Sequence, residues 1–197
     1  MARDFMTDPK QLRDLEGQQY IVLRPTGAVM REWDRVRDAA QQRLGDSARY
    51  PGAAHVTLRG LYEPERVGRV RQIVHEWAAA QHPIEVVTEA VDSFPAPWQI
   101  VIARLARTPS LLHAYASLTD ALDSTDLRRI GELPLEEWTF HCSTVYAKAL
   151  DAADWAQLAS DTHYDYPTPP AETVAEVELV TYFDGTEHRE AIPLGVS

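Results

Sequence analysis

The apolar positions change period along the chain, and the changes mark elements. QYIVLRP (19–25) is a short run rich in β-formers and reads as a strand. From Gly27 onward Val29, Trp33, Val36, Ala40 and Leu44 recur on one helical face. GDSARYPG (45–52) breaks that pattern as a loop, and AHVTLRGL (54–61) reads as a second strand. Val67, Val70, Val74 and Trp77 set another helix, opened by Pro64. Two extended runs, IEVVTEAVDSF (84–94) and WQIVIARL (98–105), flank PAP and predict a hairpin. Leu112, Tyr115, Leu118 and Leu122 give a third helical face, and TFHCSTVYAK (139–148) gives a strand. A short helix over 151–160 turns Trp155 and Leu158 inward. TVAEVELVTYF (173–183) reads as one strand, and Asp184-Gly185 is a turn signal before a last strand over 186–192.

In this order the second half resembles the first: a histidine-bearing strand, a helix, then an extended pair. The order predicts an α+β fold of two pseudo-symmetric lobes. Each lobe is an antiparallel sheet with flanking helices, and one histidine strand from each lines a central cleft. Residues 1–18 read as an N-terminal arm and 19–197 as a single bilobal domain.

Composition narrows the function classes. The chain of 197 residues is 45% hydrophobic, ordinary for a globular protein. It has no run of about 18 apolar residues that would cross a membrane. The polar opening MARDFMTDPK is not that of a secretory leader. A single cysteine, Cys142, excludes an internal disulfide framework and a cysteine-rich zinc site, and fits a reducing cytoplasm. A net charge of −11 argues against a long nucleic-acid track, which needs many cation–phosphate contacts. Recognition of a small nucleotide or of an RNA terminus stays compatible with it. Nothing signals an oligomer, so a monomer is expected.

The candidate chemistry lies on the two histidine strands. Side chains alternate faces along a strand, so His55 and Thr57 point one way, followed by Arg59, with Val56 and Leu58 opposite. The same parity joins His141 to Ser143 and turns Cys142 and Thr144 away. Each strand thus offers an imidazole and a hydroxyl about 7 Å apart. Imidazole titrates near about 6.5, so a pair can hold one base and one acid at working pH. The hydroxyls can donate to phosphate oxygens, and no metal is required. Arg59 is a further phosphate-binding candidate.

HVTL (His55–Leu58) and HCST (His141–Thr144) resemble the paired H-x-[T/S]-hydrophobic motifs of the two-histidine phosphoesterase superfamily, which includes RNA 2′,3′-cyclic phosphodiesterases and 2′–5′ RNA ligase-like proteins. Thr144 departs from the hydrophobic fourth position. The resemblance implies a hydrolase that opens the 2′,3′-cyclic phosphate of a nucleotide or RNA end, or a related small cyclic phosphate, to a 2′-phosphate. It implies His55 and His141 as the acid–base pair, Thr57 and Ser143 on the phosphate, and no cofactor. Two other functions fit the same pattern: a binding protein for nucleotides or RNA ends without turnover, and RNA ligation. Two RNA ends would need more positive charge than this chain carries.

The remaining candidates have plainer readings. Cys142 faces away from the histidines and reads as a small core residue. His75-Glu76 lacks a second histidine one turn on, where Ala79 stands. His82, His113, His163 and His188 have no second ligand at metal spacing. Trp33, Trp77 and Trp155 fall on helical apolar faces, whereas Trp98 or Tyr62, near strand ends, could stack on a base.

Overall fold

The computed structural model describes residues 3–195, so the first two and last two positions lie outside the described residues. A short helix, α1 (Pro9–Asp14), opens the chain, with the Asp8 carboxylate accepting the Gln11 amide. Strand β1 (Gln18–Leu23), helix α2 (Ala28–Leu44), strand β2 (Val56–Tyr62) and helix α3 (Val67–Ala79) follow. The hairpin of β3 (Ile84–Phe94) and β4 (Ile100–Leu105) leads to α4 (Pro109–Asp123). Thr108 caps α4 through the Leu111 amide, with a proline in the first turn where its missing N–H costs nothing. Then come β5 (Arg129–Ile130), β6 (His141–Tyr146), α5 (Ala152–Thr162) and β7 (Tyr164–Asp165). The chain closes with β8 (Ala171–Val174), β9 (Glu176–Phe183) and β10 (Thr186–Pro193).

The strands form two antiparallel sheets, the α+β arrangement expected. One runs β10-β9-β1-β2-β5, the other β6-β4-β3-β7, with β8 also paired to β3. The expected single strand over 173–183 is two. Residues 171–174 pair with β3 in the second sheet, and 176–183 pair with β1 and β10 in the first. Ala175 carries the crossing between sheets. Residues 171–173 are exposed or half-buried and 177–182 are buried without a break, so no change of period marks where the chain passes from one sheet to the other.

The predicted helical faces are the buried ones. Val29, Trp33, Val36 and Ala40 of α2 are buried, with Leu44 half-buried. Trp155 and Leu158 anchor α5. Pro64 does not open α3. It lies in a turn, and the helix starts at Val67. Helix α2 follows a first-sheet strand yet packs on β3, β6 and β8 of the second. Helix α4 follows a second-sheet strand and touches both β3 and β2. The main core therefore runs through both lobes, from Ile21 and Leu58 to Ala103 and Cys142. At roughly 1.5–3 kcal/mol for each large aliphatic side chain buried, this shared core holds the histidine strands in fixed relation.

Candidate active site

His55 stands just ahead of β2, and His141 opens β6. The two strands come together at the seam between the sheets. His55, Thr57, His141 and Ser143 line one cleft of about 500 Å³, a size suited to a small ligand. The pairing expected from strand parity is therefore present on both strands.

Each histidine strand carries a β-bulge three residues after its histidine. Ile21 pairs with Arg59 and Val22 with Thr57, which leaves Leu58 as the extra residue. Val101 pairs with Val145 and Ile102 with Ser143, which leaves Thr144 extra. A bulge inserts one residue and reverses the alternation beyond it. The cleft therefore receives the histidine, the residue two further on and the residue five further on: His55, Thr57 and Gly60 on one strand, His141, Ser143 and Tyr146 on the other. A Cβ on Gly60 would lie 2.9 Å from Ile130 Cγ1 and 3.0 Å from Tyr20 Cε1, so the cleft wall requires glycine there.

The bulge overturns the expectation for Arg59. Instead of following Thr57 into the cleft, its side chain is buried on the far side of β2, with its guanidinium 3.5 Å from the Tyr115 ring centroid. It donates to the Leu58 carbonyl and the Thr119 hydroxyl, and Glu132 lies 3.6 Å away. Arg59 is a cation buried under the sheet and does not line the cleft. The second bulge accounts for the motif departure at Thr144. That residue is fully buried, and its hydroxyl donates to the Val101 carbonyl at 2.7 Å, a bond that a hydrophobic residue could not make.

The surroundings of both imidazoles favour the neutral form. Burial pushes His55 down to about 4, helped by the nearby His141 and Arg24. The Ala53 carbonyl pulls the other way, but Nδ1 of His55 makes no hydrogen bond of regular geometry. Burial also lowers His141, against the Thr139 carbonyl, which lies 2.8 Å from its Nδ1. A carbonyl oxygen only accepts, so Nδ1 of His141 carries a proton. In the neutral ring that leaves Nε2 with its lone pair. A phenylalanine meets each ring: Phe5 at 4.6 Å from His55 and Phe94 at 4.9 Å from His141, between centroids.

The other walls were not foreseen from sequence. Tyr20 and Val22 of β1 and Val180 and Tyr182 of β9 enter the cleft from the first sheet, and Trp138 enters ahead of β6. Strand parity places Tyr20 with Val22 and Val180 with Tyr182, which is the signal that could have found them. The arm contributes Phe5, Met6 and Leu15. Trp98 is at the cleft, 58% exposed, with the Lys148 ammonium 5.3 Å from its ring centroid. Tyr62 lies outside the cleft, with Arg128 over its ring. No arginine or lysine is among the described residues lining the cleft.

Other features carry less chemistry. Cys142 is buried on the core side, and burial pushes its thiol far up, so it is no nucleophile. Among the described residues no group of three or more His, Cys, Asp or Glu is placed to hold a metal ion, and no helix is long and apolar enough to cross a membrane. A larger groove, about 640 Å³, lies between α2 and α5, but its charges are already matched, Arg35 with Glu32 and Arg43 with Asp161.

The model of the 2′-5′ RNA ligase superfamily matches residues 25–186, most of the chain and both histidine strands. The chain belongs to that superfamily. Solved structures agree in fold. TT0787 of Thermus thermophilus aligns at a TM-score of 0.64 and 16% identity, over 90% of this chain and 98% of that one. LigT of E. coli, complexed with NADP+, aligns at 0.55 and 11%, over 90% and 95%. Usb1 of Kluyveromyces marxianus aligns at 0.53 and 11%, over 92% and 100%. A comparison with curated proteins finds no match. At these identities the neighbours speak for the superfamily fold, and the chemistry rests on this chain's own residues.

Proposed function

We propose that this superfamily member is a cyclic phosphodiesterase that opens the 2′,3′-cyclic phosphate of a nucleotide or RNA end to a 2′-phosphate, without a metal. The observation that carries this reading is the convergence of His55, Thr57, His141 and Ser143 on one cleft. Thr57 and Ser143 donate to the non-bridging oxygens, where charge grows in the transition state. One imidazole takes a proton from water as its oxygen bonds to phosphorus. The bond from phosphorus to the 3′-oxygen breaks, and the second imidazole delivers a proton to that oxygen. Water is consumed, a 3′-hydroxyl and a 2′-phosphate are formed, and solvent resets the two rings.

This division needs one protonated ring, which burial by itself disfavours. The anionic phosphate corrects that on arrival, because a negative charge beside a buried imidazole favours its charged form. With no lysine or arginine among the described lining residues, the cleft suits a substrate engaged through one phosphate. E. coli LigT complexes with 3′-AMP and with phosphate support a nucleotide-sized, phosphate-bearing ligand for this fold.

The low proton affinity of His55 also favours a second reading, a sensor that binds such ligands without turnover. Steady-state hydrolysis of the four 2′,3′-cyclic nucleotides separates the two. The enzyme reading expects turnover in wild type and loss of most of it in His55→Ala and in His141→Ala. Tight binding by wild type without product, measured by calorimetry, would replace it with the sensor.

A further inference from the structure

Residues 3–6 precede the segment matched by the superfamily model, yet they cover its first histidine. Phe5 is 2% exposed, and its ring meets the His55 imidazole at 4.6 Å and 58°. The backbone around it is tied at several points. Glu187 of β10 accepts the Phe5 amide at 3.0 Å on one carboxylate oxygen and the Met6 amide at 2.9 Å on the other. The Phe5 carbonyl accepts the Gly52 amide at 3.0 Å, and the Arg3 carbonyl accepts from Arg24 at 3.1 Å. Asp4 pairs with Arg189 and Arg3 with Asp34. The Arg24 guanidinium also lies 3.8 Å from the Phe5 centroid.

Two details indicate a built contact and not a trailing end. A Cβ on Gly52 would lie 2.1 Å from the Asp4 carbonyl oxygen. Only glycine admits the arm this close to the loop that leads into His55. Glu187 is nearly inaccessible, at 2% side-chain exposure, and it also accepts from the Tyr182 hydroxyl at 3.2 Å. A buried carboxylate that receives two consecutive backbone amides fixes the strap at the position of Phe5.

We propose that residues 3–6 complete the active site and that Phe5 is a positioning residue, which orients the His55 imidazole and keeps water from it. His141 receives the matching phenylalanine, Phe94, from β3 inside the superfamily segment, whereas among the described residues His55 meets none from its own sheet and takes Phe5 from the arm. The Ala53 carbonyl favours the His55 proton, but Nδ1 makes no hydrogen bond of regular geometry, so packing shares in fixing a ring that His141 has held by the Thr139 carbonyl. The charged groups acting on His55 are His141 on β6 and Arg24 beyond β1, both unfavourable to its proton, and the titratable Tyr20, Tyr146 and Tyr182 line the same cleft.

The catalytic part of this inference rests on the phosphodiesterase reading, but the contact can be tested without turnover. The experiment is NMR titration of the His55 ring in the full chain, assigned with His55→Ala, for wild type, Phe5→Ala, Phe5→Leu and Glu187→Gln. Wild type should titrate well below the ordinary range. Phe5→Ala should rise by at least about one pH unit as water reaches the ring, and Phe5→Leu, which stays dry, by less. Glu187→Gln loses one amide bond of the strap and should shift His55 in the same direction, so the test stands even where Phe5→Ala does not fold. With 2′,3′-cyclic nucleotides, kcat in Phe5→Ala should fall about tenfold with KM within about twofold, as for loss of alignment. An unmoved His55 titration in folded Phe5→Ala and in Glu187→Gln would overturn the proposal. Absence of turnover in wild type would instead defeat the phosphodiesterase reading and leave the titration to decide the role of Phe5.

Discussion

The indole Nε1 of Trp33 donates to the backbone carbonyl of Ser143 at 2.8 Å. The bond joins the middle of α2 to the strand that carries His141 and Ser143, and both partners are buried. Helix α2 follows a strand of the first sheet, so this contact locks the second histidine strand to an element of the other lobe. Trp33→Phe keeps most of the packing and leaves the carbonyl without its donor. It should destabilise the fold by about 1–3 kcal/mol, read from denaturant midpoints. It should also lower kcat, because Ser143 and His141 lose their backstop. Unchanged stability and unchanged turnover would show that α2 plays no part in holding the site.

The hydroxyls should matter at the chemical step. Thr57→Val and Ser143→Ala each remove one donor to the phosphate. Each is expected to lower kcat by about tenfold to a thousandfold, the range for loss of one such donor. Thr57→Ser should retain most activity. A rise in KM alone, with kcat intact, would mean that the hydroxyls only bind.

Arg59 supplies the opposite test. Its guanidinium is buried against Tyr115 and the Thr119 hydroxyl and is absent from the cleft wall. Arg59→Met should cost about 1–3 kcal/mol of stability, because the Leu58 and Tyr115 carbonyls and the Thr119 hydroxyl lose a buried donor. In the folded fraction, kcat and KM should stay within about twofold. A large rise in KM would return Arg59 to the phosphate.

Acid should weaken the fold through His55. Its folded value, about 4, lies below the ordinary 6.5 of the unfolded chain. Between those values the unfolded chain binds more protons, so stability is complete above about pH 6.5 and falls as pH drops toward 4. The slope integrates to about 3 kcal/mol for one such group. Stability curves from pH 4 to 8 should therefore flatten in His55→Gln relative to wild type. Equal slopes would mean that His55 is not the group held neutral.

The sequence made part of this legible, for physical reasons. Strand parity placed His55 with Thr57 and His141 with Ser143, because alternation holds over two residues in any strand. It failed at Arg59, one residue past the bulge at Leu58, since nothing in the alternation of AHVTLRGL marks where the extra residue sits. Gly60 was the available hint, a strand glycine at a close approach. Helical faces such as Val29, Trp33, Val36 and Ala40 were readable because they repeat over several turns. The two-residue strands β5 and β7 and the six-residue α1 are too short to carry a period. In the sequence the arm looks separate because Phe5 is a lone aromatic among mostly polar residues, and its strap is fixed by Glu187, which lies far along the chain.

The most direct test of the account is phosphorus NMR of a 2′,3′-cyclic nucleotide incubated with the full chain in EDTA, beside His55→Ala and His141→Ala. The account predicts that wild type converts the cyclic phosphate to a 2′-phosphate and that both variants leave it intact. A 3′-phosphate product, undiminished conversion in either variant, or conversion abolished by EDTA would contradict it.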